Sequence, residues 1–136
     1  FGATGAITGE KSRSMNQALS GATVKKVELW LYADHWYQSV GGTARLGKWS
    51  SSDSNPSLPS TLNATATMQI PQSSARWKVN QGRWVTVPNW WISDGTRGIT
   101  LGGGTSRSSE YYGRFAGVHS STPQARRPRI RVTYTR

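Results

Sequence analysis

The sequence predicts an all-β fold, an antiparallel two-sheet β-sandwich. Short runs alternate between apolar and polar residues, turn-forming stretches separate these runs, and no amphipathic helical stripe occurs outside Arg13–Leu19. A period of two buries one face of a strand, and turns at this spacing fold each strand back on its neighbour. Seven or more such strands are typical of a sandwich rather than of an α/β fold.

Residues 1–22 are predicted to form an N-terminal extension or linker, followed by a single domain over residues 23–136. Phe1–Gly21 is rich in Gly, Ala, Ser and Thr, and Ser14–Leu19 is compatible with one helical turn or with a strand. Because the sequence begins with Phe1 rather than Met, we expect a processed product or one domain of a longer polypeptide.

The clearest strand prediction is Thr23–Tyr32, in which apolar and polar side chains alternate without interruption. Val27, Leu29 and Leu31 point to one face of this strand and are predicted to be buried. The side chains predicted to point outward are Lys26, Glu28, Trp30 and Tyr32.

Shorter runs predict the remaining strands. They are Thr43–Leu46, Ala64–Ile70, Arg83–Val87, Arg97–Leu101, Tyr111–Val118 and Arg129–Thr135. In the last strand, the inward set is predicted to be Ile130, Val132 and Tyr134, and the outward set Arg129, Arg131 and Thr133. The C-terminal strand therefore carries its charge on the solvent side.

Composition indicates an anionic partner and a surface with exposed aromatic rings. The chain has 17 Lys and Arg against six Asp and Glu, a formal charge of +11, with seven Trp, five Tyr and no Cys. Such an excess favours nucleic acid, acidic glycans, lipid headgroups or acidic protein surfaces. No apolar run approaches the roughly 18 residues of a membrane span, so membrane insertion is not expected.

The segment Trp30–Tyr37 holds four aromatic residues together with Asp34 and His35. We predict that the strand ends and a loop begins near Asp34. Pyranose rings stack on aromatic faces while their hydroxyls bond to charged partners, so this combination is typical of a sugar site. The alternative is that Trp30 and Trp36 pack in the core or at a sheet edge.

Other aromatic residues are predicted to extend this surface. If Asn89-Trp90-Trp91 is extended, adjacent side chains point to opposite faces and one tryptophan is exposed. The same argument applies to Tyr111-Tyr112. The predicted aromatic platform comprises Trp36, Tyr37, Trp49, Trp90 and Tyr112, with Asp34, His35, Arg45 and Arg114 as polar partners.

No catalytic, metal or cofactor site is predicted. Glycoside hydrolysis needs two carboxylates about 5 to 9.5 Å apart, and no such pair can be identified among the acidic residues of the predicted loops. The sequence lacks a G-x-S-x-G elbow and an H-E-x-x-H helix, and His35 and His119 lack zinc-site spacing. We therefore expect a protein that is not an enzyme.

Nucleic-acid binding is disfavoured. The C-terminal arginines could contact phosphates, but a solvated strand face explains them equally well, and no helix or RNP-like strand offers base readout. These arginines are Arg126, Arg127, Arg129 and Arg131.

Several strings resemble, in order, a module of actinobacteriophage virion structural proteins such as minor tail proteins and fibres. These strings are Val24–Tyr37, Ser39–Gly42, Arg83–Pro88, Gly98–Gly102, Tyr111–Arg114 and Pro128–Tyr134. The closing strand also resembles that of jelly-roll modules of the disaggregatase-related kind, and this resemblance implies a jelly-roll-like sandwich with loops that face carbohydrate. Arg45 and Lys48 replace neutral residues of the phage pattern, and Val40 interrupts its Ser-Gly-Gly string.

The phage resemblance implies an extracellular role on the virion surface, where such modules are often trimeric, so a homo-oligomer is expected. The leading hypothesis is a non-catalytic module that binds host cell-surface glycan. One alternative is a capsid decoration or tail-surface protein that docks on other virion proteins through the same aromatic and basic residues. Another is the carbohydrate-binding module of a secreted hydrolase.

Overall fold

The computed structural model describes residues 7–10, 13–50, 67–71, 76–92, 96–102 and 113–136. The strands in these ranges are β1 (Ile7–Glu10), β2 (Thr23–Trp36), β3 (Ala44–Ser50), β4 (Thr67–Ile70), β5 (Gln81–Val87), β6 (Thr96–Gly102), β7 (Gly113–Phe115) and β8 (Arg129–Thr135). The helical elements are α1 (Arg13–Leu19) and two 3-10 turns, Asn89–Ile92 and Gln124–Arg126. No helix in the described ranges combines the length and apolarity of a membrane span.

The strands form two antiparallel sheets, which confirms the predicted all-β two-sheet sandwich. Sheet A has the strand order β1-β6-β3-β4. In sheet B, β2 lies in the centre, with β5 on one side and with β8 and β7 pairing successive parts of β2. β1 lies in the segment expected to be an extension, and it joins sheet A by pairing with β6.

The core lies between the inward faces of the two sheets. β2 contributes Val27, Leu29 and Leu31, as predicted, and also Ala33, which continues the same alternation. Each of these residues is at most 6% exposed. β3, β4, β5 and β6 contribute further buried aliphatic side chains, and the cluster also includes Trp77, Trp91 and Phe115. The alternation of β2 therefore leaves its other face pointing away from the core.

β2 continues past the predicted end at Asp34 as far as Trp36, and a register shift interrupts its pairing with β7 between Ala33 and His35. Such a bulge inserts one extra residue and reverses the alternation beyond it. Trp36 consequently turns inward, where it is 6% exposed and contacts Phe115 edge-on at 5.8 Å.

The bounds of β8 agree with the prediction, but its last tyrosine is exposed rather than buried. Ile130 and Val132 pack partly buried against the core, whereas Tyr134 is 42% exposed. A register shift between Val24 and Lys26 separates Tyr134 from the rest of the pairing. Tyr134 thus lies beside the start of β2, before the first buried residue, Val27.

Candidate binding face on sheet B

The outward face of sheet B brings together side chains from three neighbouring strands in two rows. Residues directly opposite in an antiparallel pair share a face. One row contains Thr86, Glu28 and Arg131, and the next contains Trp84, Trp30 and Arg129. We call the outward side chains Glu28, Trp30, Tyr32, Trp84, Arg126, Arg129 and Arg131 the arginine–tryptophan face.

Trp30 lies at the centre of this face, and its position is fixed by its neighbours. Its ring centroid is 5.5 Å from that of Trp84, with the planes tilted by 57°. A Cβ added at Gly82 would collide with the Trp30 indole, so the ring occupies the space that a side chain there would fill. The Trp30 Nε1–H also donates a hydrogen bond of 3.1 Å to the carbonyl of Ala125.

Three arginines lie over the aromatic rings of this face. The guanidinium of Arg129 is 5.2 Å from the Trp30 centroid and 5.6 Å from that of Trp84, and Arg131 is 4.0 Å from the Trp84 centroid. Arg126 lies 5.0 Å from the ring of Tyr32. Attraction to the ring quadrupole holds each guanidinium in place. A guanidinium carries its N–H donors in a planar fork, so donors that are not already bonded can bind a carboxylate or phosphate with two hydrogen bonds.

Glu28 pairs with two of the cations at one end of the face. Its Oε2 accepts a hydrogen bond of 2.7 Å from Arg131 Nε, and its Oε1 lies 3.3 Å from Lys26 Nζ. The hydrogen bond from Arg131 is the main cause that lowers the pKa of Glu28, and the same bond raises the pKa of Arg131. Glu28 therefore stays ionised although it is only 7% exposed.

Asp34 and Arg114, both predicted polar partners, do meet near the other end of β2. Arg114 Nε donates a hydrogen bond of 2.7 Å to Asp34 Oδ1. Glu28 and Asp34 are thus both paired with arginines, and further arginines of the face remain. Within the described ranges, neither Arg126 nor Arg129 pairs with a carboxylate.

This arrangement provides two things to a ligand: the guanidinium groups of Arg126 and Arg129, which have no anionic partner among the described residues, and aromatic surface beside them. Trp84 is 36% exposed and Trp30 is half-buried. Hydrogen bonds between arginine and a carboxylate, sulfate or phosphate are about twice as strong as neutral ones. The face is therefore suited chemically to an extended anionic ligand that also presents apolar ring surface.

The predicted aromatic platform does not form as one surface. Trp36 lies in the core, and Trp49 is also only 6% exposed, so neither ring can stack on a ligand. Tyr37 and Trp90 are 71% and 52% exposed, at the end of β2 and in a 3-10 turn respectively. Tyr112 lies outside the described residues.

Trp36 is buried within the core cluster, whereas Trp49 is buried outside it. Trp49 lies outside the core cluster, on the side of β3 opposite to the core-facing Leu46. Arg45 is on the same side of β3, half-buried, and its Nε has no hydrogen-bond partner in the described part of the chain. Arg45 thus belongs to sheet A, while Asp34, His35 and Arg114 belong to sheet B.

Trp30, Trp84, Arg129 and Arg131 were missed as a site, although each was correctly predicted to lie in a strand. The alternation along each strand was the signal that could have found the site, because it predicts that Trp30, Arg129 and Arg131 all point outward. What the sequence did not contain was the pairing of β8 with β2, which joins residues about a hundred positions apart.

Among the described residues, no group of three or more His, Asp or Glu side chains is placed to hold a metal ion. Comparison with known proteins found no matching family model, no matching curated protein and no matching solved structure.

Proposed function

We propose that this chain is a non-catalytic binding module that holds an acidic glycan on its arginine–tryptophan face. The observation that carries the proposal is that Arg126 and Arg129 lie over aromatic rings without a carboxylate partner in the described ranges. Their donors are oriented before a ligand arrives, which lowers the entropy that binding would otherwise cost.

An acidic glycan satisfies both parts of the face. Its carboxylates or sulfates can accept bidentate hydrogen bonds from the guanidinium groups, and the C–H faces of its sugar rings can lie on the exposed part of Trp84. From Glu28 to Tyr32 the face extends roughly 13 Å along β2 at about 3.3 Å per residue, which suits a short stretch of a linear polymer. The overall charge of +11 favours the same class of ligand.

The resemblance to phage virion modules suggests where such a glycan would be met. A surface module of a minor tail protein or fibre would meet anionic polymers of the host envelope, and a homo-oligomer would multiply weak contacts into avidity. We therefore place the proposed activity on the virion surface, with host cell-surface glycan as the partner and with no chemical step.

The proposal is tested by calorimetric titration of the chain with a sulfated oligosaccharide and with a neutral oligosaccharide of equal length. The sulfated ligand should bind at about 0.15 M salt and weaken steeply at 1 M, where the Debye length falls from about 8 Å to about 3 Å. Arg129→Ala should weaken its binding about tenfold or more, because a hydrogen bond to a charged group contributes roughly 1.5–3 kcal/mol. Arg129→Lys should recover only part of this, since lysine keeps the charge but lacks the planar fork.

Lys78→Ala is the matched control, because it removes one exposed positive charge from the turn before β5, outside the face. Equal losses in Arg129→Ala and Lys78→Ala would mean that only net charge matters, and the proposed site would be wrong. Binding to an acidic peptide but not to the sulfated glycan would instead support docking on another virion protein.

A further inference from the structure

A cleft of about 560 Å³ lies at one end of the sandwich, between α1, the start of β2 and the Asn89–Ile92 turn. Its volume falls within the roughly 300–1,000 Å³ of small-molecule sites. Its described lining consists of Asn16, Leu19, Ser20, Gly21, Ala22, Val24, Asn89, Trp90 and Ile92. We call this feature the Trp90 cleft.

Trp90 is held at the cleft by its anchored neighbours. Trp91 and Ile92 are 1% and 5% exposed and belong to the core cluster. On the other side, Asn89 Nδ2 donates hydrogen bonds of 3.3 and 3.1 Å to the carbonyls of Val24 and Lys25. The backbone of the turn is thus fixed at both ends, although half of the Trp90 side chain remains exposed.

The ring of Trp90 is itself oriented by two contacts. Lys48 Nζ lies 5.1 Å from its centroid, and the Trp91 ring meets it nearly edge-on at 6.4 Å. Because these contacts restrict the ring, little rotamer entropy would be lost when a ligand stacks on its exposed part.

The chemistry of the lining is uncharged, in contrast to sheet B. No ionisable side chain is among the described lining residues, and Lys48, whose Nζ lies over the Trp90 ring, is not one of them. Asn16 and Ser20 can exchange hydrogen bonds with ligand hydroxyls, and Asn89 can accept one through Oδ1 because its Nδ2 already donates to Val24 and Lys25. Leu19, Val24 and Ile92 supply apolar surface. A Cβ built at Gly21 would meet no atom within 4 Å, so the cleft has room on that side.

We infer that the Trp90 cleft is a second binding site, which takes an uncharged sugar ring stacked on Trp90. Such a ring combines an apolar C–H face with hydroxyls at its edge, which matches an indole beside amide and hydroxyl groups. An anion would find no cationic donor among the described lining residues. This inference stands independently of the proposed function, because the two sites share no residue and take ligands of different charge.

The test is a titration with neutral hexoses and their disaccharides, followed by the indole N–H signals in NMR spectra. The Trp90 signal should shift, and the affinity should change by less than about twofold between 0.15 and 1 M salt because no ion pair forms. Trp90→Ala should weaken binding about tenfold or more, because the stacked ring surface is lost. Trp90→Phe should retain part of the affinity.

Tyr37→Ala is the matched control, because it removes an aromatic side chain that is 71% exposed and does not line the cleft. Arg129→Ala should bind the neutral sugars as the unchanged protein does, which separates a failure of this site from a failure of the face. Absence of any shift at Trp90, or equal losses in Trp90→Ala and Tyr37→Ala, would overturn the inference.

Discussion

The arginine–tryptophan face and the Trp90 cleft are both built around tryptophans, but they differ in charge and in shape. On sheet B, the rings of Trp30 and Trp84 lie beneath Arg129 and Arg131, and of these two Arg129 has no carboxylate partner in the described ranges. In the cleft, Trp90 borders a concave space lined by uncharged residues. The residue type alone therefore does not define a ligand class; the neighbours of each ring do.

The two regions also differ in what holds them in place. The face depends on the pairing of β8 and β5 with β2, so its side chains come from three strands. The cleft depends on a short turn anchored by Trp91, Ile92 and Asn89. A change can thus be aimed at the face, at the cleft or at the core that supports both.

The largest effect is expected from Leu31→Ala, which removes a core side chain that is 1% exposed on the inward side of β2. Loss of the buried surface together with the cavity left behind should destabilise the fold by about 2–5 kcal/mol. Denaturant unfolding would measure this. At denaturant concentrations that unfold the variant, both binding activities should be lost together. Retention of full stability would contradict the described core.

A smaller and more selective effect is expected from Gly82→Ala. The added Cβ must displace the Trp30 ring, so the face should be disturbed at a stability cost of roughly 1–3 kcal/mol. Binding of the sulfated oligosaccharide should weaken, while neutral sugars in the cleft should bind as before.

Gly21→Ala provides the matching change beside the cleft. A Cβ there meets open space, but the positive φ of 73° is strained for alanine and should cost about 1–2 kcal/mol. Binding on the face should be unaffected. If the two glycine variants had the same effect on both ligands, the sites would not be separate.

The smallest effect is expected from Glu28→Gln, which frees Arg131 from its ion pair. Affinity for the sulfated oligosaccharide should rise by less than about tenfold, because one more guanidinium becomes available. Binding of neutral sugars in the cleft should not change. Lower affinity of Glu28→Gln for the sulfated ligand would show that the ion pair positions Arg131 for binding.

The same variant tests the pH dependence of stability. Because the folded protein lowers the pKa of Glu28 below its ordinary value of 4.5, this group stabilises the fold above that pH. The contribution is lost as the pH falls through the lowered pKa. The unmodified chain should therefore be more stable than Glu28→Gln at pH 7, with a gap that closes at acidic pH. A gap that stays constant down to pH 2 would contradict the ion pair.

The strand pattern could be predicted from the sequence because burial on one face leaves a period of two. It placed Val27, Leu29 and Leu31 inward and put Arg129 and Arg131 on the outward side of β8, all as the structure has them. The bulge near Asp34 could not be predicted, because β2 ends only two residues beyond it and the reversed alternation is too short to recognise. That bulge turned Trp36 from an expected ligand contact into a core residue.

For Trp90 and Trp91, the predicted exposure of one ring is correct, but the strand geometry on which the prediction was based is not. One of Trp90 and Trp91 was expected to be exposed because adjacent residues in a strand point to opposite faces. The segment is instead a 3-10 turn, and the separation of the two rings follows from the anchoring of Trp91 in the core. Pairings between distant strands, which create the arginine–tryptophan face, carry no local signal.

The most direct test of the proposed function is to follow the indole N–H signals of the seven tryptophans while a sulfated oligosaccharide is added. Each tryptophan reports one location. The signals of Trp30 and Trp84 should shift with the acidic ligand, and that of Trp90 should not. Shifts confined to Trp90, or none at Trp30 and Trp84 at saturating ligand, would contradict binding on the arginine–tryptophan face.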